Sequence, residues 1–407
     1  MREASRKPSA RTSEHCPKAV RATSRARSPA LLAQNVFPRG PPNGPCALTS
    51  RALRRSGGSG MHIHSARRVE ARRWASQPLS IELVSKSSRS YVFVCRFASD
   101  AASQRRCCLK TVRAEGPYLR HQTELLSRLA ESARSRAAAG EGDCLPHVLA
   151  YGIVGESPPR SDCGELLYSM LTWVEGATLS HLIAQRARER RPVPFSESLS
   201  LLLAVAVCLR DLLRFDPKAP LVHQDVKPSN IIISRSPCNR ATLIDFDTAF
   251  FLDGPAGAVP CGSYGYAAPE GILRNEGWEN DTMDVFSFGI VAHEVLTGLW
   301  PYPFPPSPRR DLSFWSARFR RGAGPRIDDG LPRDVRRTLQ ACVSLDPRER
   351  PNAFELVERM ERLKERYADS SASSTLANFA EPLPTPAFAL RPQPDLPAGD
   401  ITNGVAQ

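Results

Sequence analysis

From Leu79 onward, apolar and polar residues alternate in short runs. Residues 79–84, 91–97 and 106–112 read as strands. The period then changes. Within 118–130, Leu125, Leu126 and Leu129 recur at helical spacing and predict one amphipathic helix. Strand-like runs return at 148–154 and 166–174, and the polar stretches 131–143 and 156–164 read as surface insertions. Beyond them the helical period dominates, with helices predicted over 196–215, 283–297, 332–344 and 353–367. A strand-rich part holding one helix therefore precedes a larger, mainly helical part. That order predicts an α+β fold of two unequal lobes.

The flanks have no such period. Residues 1–78 are rich in Arg, Ser, Ala and Pro, and residues 367–407 in Ser, Pro and Ala, so both read as disordered segments around a domain at 79–366. Charge sharpens the boundary. The 407 residues carry a net charge of +13, and all of that excess lies in the first segment, with 16 Lys/Arg against 3 Asp/Glu. The rest of the chain is balanced, so its charge gives no reason to expect a nucleic-acid-binding fold. The basic arm itself suits a weak anionic partner, nucleic acid or acidic lipid, or an organelle-targeting segment. Met61 is an alternative start that would remove most of it. The longest apolar run, 199–209, is too short for a bilayer-spanning helix of about 20 residues, so no integral membrane segment is expected. Eleven scattered cysteines form no Cys-x-x-Cys pair. Reduced thiols in an intracellular, cytoplasmic protein are expected, with an organelle as the alternative.

Four stretches carry chemistry. Cys107-Cys-Leu-Lys110 lies in a predicted strand, and His223-Gln-Asp-Val-Lys-Pro-Ser-Asn230 follows the first long helix of the second part. Asp245-Phe246-Asp247 begins twenty residues after Asp225, and Gly262-Ser-Tyr-Gly-Tyr-Ala-Ala-Pro-Glu270 comes next. Carboxylates, an amide and lysines suit the neutralisation of phosphates and the positioning of a hydroxyl nucleophile. In order and spacing the set resembles the eukaryotic-type protein kinase family over about 79–366. Asp284-Val-Phe-Ser-Phe-Gly289 and Asp346-Pro-Arg-Glu-Arg350-Pro351 extend the match.

The resemblance implies a two-lobed kinase fold and ATP- and magnesium-dependent transfer of phosphate to Ser/Thr hydroxyls of protein substrates. It implies Asp225 as the group that orients the hydroxyl and takes its proton, Lys227 at the transferred phosphate, and Lys110 on the α- and β-phosphates. Asn230 and Asp245 would hold magnesium. Ser85, Ser87 and Ser90 would form the phosphate loop, with Val92, Cys108 and Ile232 around adenine. Leu171 falls at the gatekeeper position, followed by a hinge of Thr172, Trp173 and Val174. Lys227 and Ser263 mark the serine/threonine class. Glu270 and Arg350 correspond to a buried ion pair, and Asp284 to a cap under the catalytic loop.

The chain departs from the family pattern in four places, of which the first three support the alternative of a pseudokinase, a nucleotide-binding or scaffold module on the same fold. Serines replace all three phosphate-loop glycines, which predicts weaker nucleotide binding with partial compensation by hydroxyls. The leucine spacing places Gln122 where the family has the lysine's glutamate partner, with Glu124 as the competing candidate. Asp247 replaces the glycine after Asp-Phe and reads as a turn residue or an added magnesium ligand. Gln224 stands where many members have Arg, so phosphorylation of the following segment is not expected to be the on-switch.

Overall fold

The computed structural model describes residues 80–368, apart from 88–89, 98–104, 139–143, 155–164, 190–193, 217, 235–238, 255–259, 276, 305 and 308–310. The basic segment 1–78, most of 367–407 and the insertion at 156–164 lie outside the described residues.

Five antiparallel strands form the first lobe: β1 (Ser80–Lys86), β2 (Ser90–Phe97), β3 (Arg105–Ala114), β4 (Val148–Val154) and β5 (Glu165–Thr172), in the order β1-β2-β3-β5-β4. Strand alternation divides the sheet into two faces. Phe93, Cys95, Phe97, Cys107, Leu109 and Met170 make a small core on one. Leu167 and Leu171 join Leu125, Leu126 and Leu129 of the helix α1 (Gly116–Ala138) in the main core on the other.

Helix α1 corrects one expectation. It continues eight residues past 130, through a stretch whose polarity reads as an insertion. Ser132 and Arg136 of that stretch are turned inward. Ser132 donates to Asp216 Oδ2 at 3.0 Å, and Arg136, buried against Phe215, donates to the Arg214 carbonyl at 3.3 Å. The helix is anchored to the second lobe by hydrogen bonds, which an apolar period does not report.

The second lobe contains α2 (Leu179–Glu189), α3 (Phe195–Leu213), α4 (Pro269–Leu273), α5 (Met283–Thr297), α6 (Leu312–Arg320), α7 (Arg333–Cys342) and α8 (Ala353–Arg366). Short strands β6 (Ala177–Thr178), β7 (Leu221–Val222), β8 (Ile231–Ser234), β9 (Arg240–Leu243) and β10 (Phe250–Phe251) hold the loops between them. The four long helices fall within two residues of their predicted limits. The shorter α2, α4 and α6 were not predicted. Helix α5 is buried nearly all round, as befits the centre of a lobe. At Gly289 a Cβ would stand 2.5 Å from Val343 Cγ1, so glycine lets α5 approach the end of α7. Asn352 and Glu355 start α8 with a reciprocal capping box. No helix among the described residues is long and apolar enough to cross a membrane.

Candidate active site

Lys110 lies on β3, opposite Val92 of β2 and Ser169 of β5. Alternation sends Cys107 and Leu109 to the outer core and Cys108 and Lys110 to the opposite face. Lys110 is buried, and its Nζ pairs with Asp245 Oδ1 and, at 2.7 Å, with Asp247 Oδ1. Burial opposes its charge, but the carboxylates of Asp247 and Asp245 raise its pKa above the ordinary lysine value. Burial also opposes charge on Asp245, yet Lys110, then Lys227 and His223, outweigh it and hold that carboxyl below its usual range. For Asp247, burial prevails over the pull of Lys110, and the neighbouring Asp245 adds to it, so its pKa is raised.

The catalytic loop is fixed from beneath. Asp284, at the start of α5, accepts the backbone N–H groups of His223 at 2.7 Å and Gln224 at 2.8 Å. Burial pushes its carboxyl up, against these hydrogen bonds and the attraction of His223. The Thr248 hydroxyl donates to the His223 carbonyl at 3.1 Å, tying in the Asp-Phe-Asp turn. Asp225 then has every oxygen engaged. Its Oδ1 accepts from the Ser263 N–H at 2.8 Å, and its Oδ2 from Lys227 Nζ at 2.7 Å and Asn230 Nδ2 at 2.9 Å. Lys227 Nζ also donates to Ser263 Oγ at 2.7 Å. The two residues that mark the serine/threonine class thus meet on the carboxylate expected to accept the proton.

Asn230 closes a 3-10 turn (Pro228–Asn230), and its carbonyl accepts the Ile244 N–H at 2.9 Å. That bond and the β8–β9 pairing bring Asn230 beside the approach to Asp245. The Asn230 amide nitrogen is committed to Asp225, which leaves its amide oxygen as the donor atom. An amide oxygen and a carboxylate held in its ionised form are hard donors that suit magnesium.

The nucleotide-side residues are placed less uniformly. Val92, Cys108 and Ile232 are half-buried, and burial pushes the Cys108 thiol up to about 11 against the pull of Lys110. Leu171 is buried, paired with Cys108. Thr172 gives its N–H to the His147 carbonyl at 2.9 Å and takes the His147 N–H on its hydroxyl at 2.9 Å. Its N–H and hydroxyl are thus both engaged by His147, and Val174 follows two residues on, half-buried. Ser85 is exposed on β1. The Ser87 and Ser90 hydroxyls are 2.8 Å apart, the Ser90 N–H donates to Ser87 Oγ at 3.0 Å, and the Ser87 N–H to the Ser90 carbonyl at 2.8 Å. The two hydroxyls are thus bonded to each other.

The four departures resolve individually. Gln122 is buried and Glu124 exposed, as the leucine spacing implies. Gln122 Nε2 donates to the Asp247 carbonyl at 3.0 Å, so it holds the turn rather than the lysine. Asp247 is a turn residue, with the Ala249 N–H on the Phe246 carbonyl at 3.0 Å, and is also a partner of Lys110, a role the sequence reading did not include. Gln224 is buried at φ 64°, and its side-chain amide meets no partner among the described residues. Glu270 and Arg350 form a bidentate pair at 2.6 and 2.8 Å, as the resemblance implies.

A strand-built lobe with a buried lysine is joined to a helical lobe that presents Asp225, Asn230 and Asp245, which defines a two-lobed α+β fold. Residues 167–360 match the protein kinase domain model. Over those residues the chain is similar to eukaryotic-type protein kinases. Serine/threonine-protein kinase PknF of Mycobacterium tuberculosis is 32% identical over 163 residues, covering 39% of this chain and 31% of that protein. Serine/threonine-protein kinase BIK1 of Arabidopsis thaliana is 27% identical over 225 residues, 49% of this chain and 53% of the relative. Mitogen-activated protein kinase kinase 2 of the same plant is 24% identical over 225 residues, 53% and 58%. The chain therefore spans less than two thirds of the length of each of these relatives.

Proposed function

We propose that this chain transfers the terminal phosphoryl group of ATP to Ser/Thr hydroxyls of proteins. The observation that carries the reading is the Asp225 carboxylate, fixed by Ser263, Lys227 and Asn230 with one oxygen left to a single donor. Asp225 Oδ1 accepts only the Ser263 N–H among the described residues, so a lone pair is available to a substrate hydroxyl and its proton. Lys227 brings positive charge to the same place. Lys110, buried and cationic, binds the other phosphates. Asp245 and Asn230 are the residues that would hold magnesium, which neutralises phosphate charge when bound.

Label transfer from radiolabelled ATP to a generic basic protein tests this. Transfer is expected with magnesium and its loss with excess chelator. A folded chain that transfers nothing at saturating ATP, with manganese also tried, would favour the scaffold reading. That second reading draws on the phosphate loop, whose Ser90 N–H is already taken by Ser87.

The same geometry bears on regulation. The segment from Asp245 to Glu270 contains four hydroxyl residues. Thr248 bonds the catalytic loop, Ser263 accepts from Lys227, and the Tyr266 hydroxyl donates to Glu294 at 2.8 Å. Tyr264 alone of the four is exposed, at 41%. Because Gln224 offers no charge to a phosphate, Tyr264→Phe is expected to keep activity within about twofold of wild type. A loss of tenfold or more in the same assay would show that a phosphotyrosine switch exists.

A further inference from the structure

Lys110 needs a carboxylate to hold it. Asp245 pairs with it, but Asp245 is also the residue suited to metal, so a lysine resting on Asp245 alone would compete with that role. Helix α1 offers no acid, since Gln122 faces inward and Glu124 faces solvent. Asp247 is the remaining carboxylate within reach, 2.7 Å from Nζ.

Its backbone is held from two sides. Gln122 Nε2 and the Tyr118 hydroxyl both donate to the Asp247 carbonyl, at 3.0 and 3.3 Å. His121 Nε2 pairs with the Ala249 carbonyl at 2.9 Å, and Thr248 reaches back to the catalytic loop. Helix α1 therefore fixes the turn, and the turn presents the carboxylate. A glycine at position 247 would leave the lysine without this partner.

We propose that Asp247 is the positioning residue for Lys110, supplying from the turn after Phe246 the carboxylate that the family pattern places on the helix. The helix glutamate has become Gln122, which steadies the replacement through its main chain. This rests on the phosphoryl-transfer reading only for its consequence in rate. The placement of Lys110 is readable without nucleotide, metal or activity.

The test uses the full chain and two variants of one position, Asp247→Ala and Asp247→Asn, with thermal melts to verify folding. Lysines are acetylated with a water-soluble succinimidyl ester at neutral pH, without nucleotide or metal, and modification is read residue by residue by mass spectrometry. Lys110 is expected to react about fivefold or more faster in Asp247→Ala, while exposed Lys218 and Lys364 are unchanged. Adding Gln122→Glu to Asp247→Ala is expected to restore protection, which a merely structural role for the turn would not allow. In the kinase assay Asp247→Ala should lower kcat by about thirtyfold with the KM for ATP within about threefold, and Gln122→Glu should recover most of it.

Unchanged Lys110 labelling in both folded variants overturns the proposal. So does a raised magnesium requirement with unchanged labelling, which would make Asp247 a metal ligand instead. A wild type that transfers no phosphate overturns the proposed function, while the labelling comparison still decides the role of Asp247.

Discussion

Asp225→Asn is expected to lower phosphoryl transfer by about a thousandfold, about 4 kcal/mol in the barrier. Two losses combine. The amide cannot take a proton at this position, and it cannot satisfy its neighbours. The carboxylate accepts from Ser263 on one oxygen and from Lys227 and Asn230 on the other. Either orientation of the asparagine sets an NH2 group against existing donors. Lys227 is then released from one of its two partners, which also weakens its hold on Ser263. Nucleotide affinity should stay within about threefold, because the residues expected on the nucleotide are left intact. Initial rates at saturating ATP, with a fluorescent-nucleotide titration of the same variant, separate the terms. A variant keeping a tenth of the wild-type rate would remove Asp225 from the role of proton acceptor.

The second large effect is on stability. Arg350→Ala is expected to destabilise the second lobe by roughly 3–5 kcal/mol. The guanidinium is fully buried. It makes two bonds to Glu270, donates to the Ser344 carbonyl at 2.8 Å, and sits over the Phe286 ring. Alanine would leave the Glu270 carboxylate with the Asn280 amide as its remaining polar contact among the described residues. Glu270 opens α4 directly after the segment that carries Ser263, so the damage should reach the site as well as the fold. Denaturant unfolding monitored by tryptophan fluorescence measures the loss. Arg350→Lys should recover less than half of it, because an ammonium cannot reproduce the two-pronged contact. A cost under about 1 kcal/mol would show that the pair does not anchor the segment.

The sequence was most legible where chemistry or burial imposes a spacing. Asp225, Lys227 and Asn230 stand together because a hydroxyl and its phosphate demand those types at that distance, and the structure brings them to one carboxylate. Gln122 was readable as the inward residue because Leu125, Leu126 and Leu129 fix the phase of the helix. The long helices of the second lobe were readable for the same reason. What escaped has no periodic signature. The last third of α1 docks by polar bonds from Ser132 and Arg136, and polarity on a helix ordinarily reads as exposure. The aim of the Asp247 carboxylate is set by a turn between lobes, and no local pattern encodes that direction. The mutual bonding of Ser87 and Ser90 was hidden too, since a serine's choice between a ligand and its neighbour depends on loop shape.

The latch between α1 and the turn has a consequence for inhibitor chemistry. A compound that lodges where Phe246 now packs must carry the turn outward with it. It would break the contacts of Tyr118 and Gln122 to Asp247, of His121 to Ala249, and of Lys110 to the Asp247 carboxylate. At about 1 kcal/mol net for each of the four, the handicap is about 4 kcal/mol, or roughly a thousandfold in affinity. Compounds that occupy the cleft with the turn left in place carry no such handicap. Selective ligands for this chain are therefore to be sought among those that accept the inward turn.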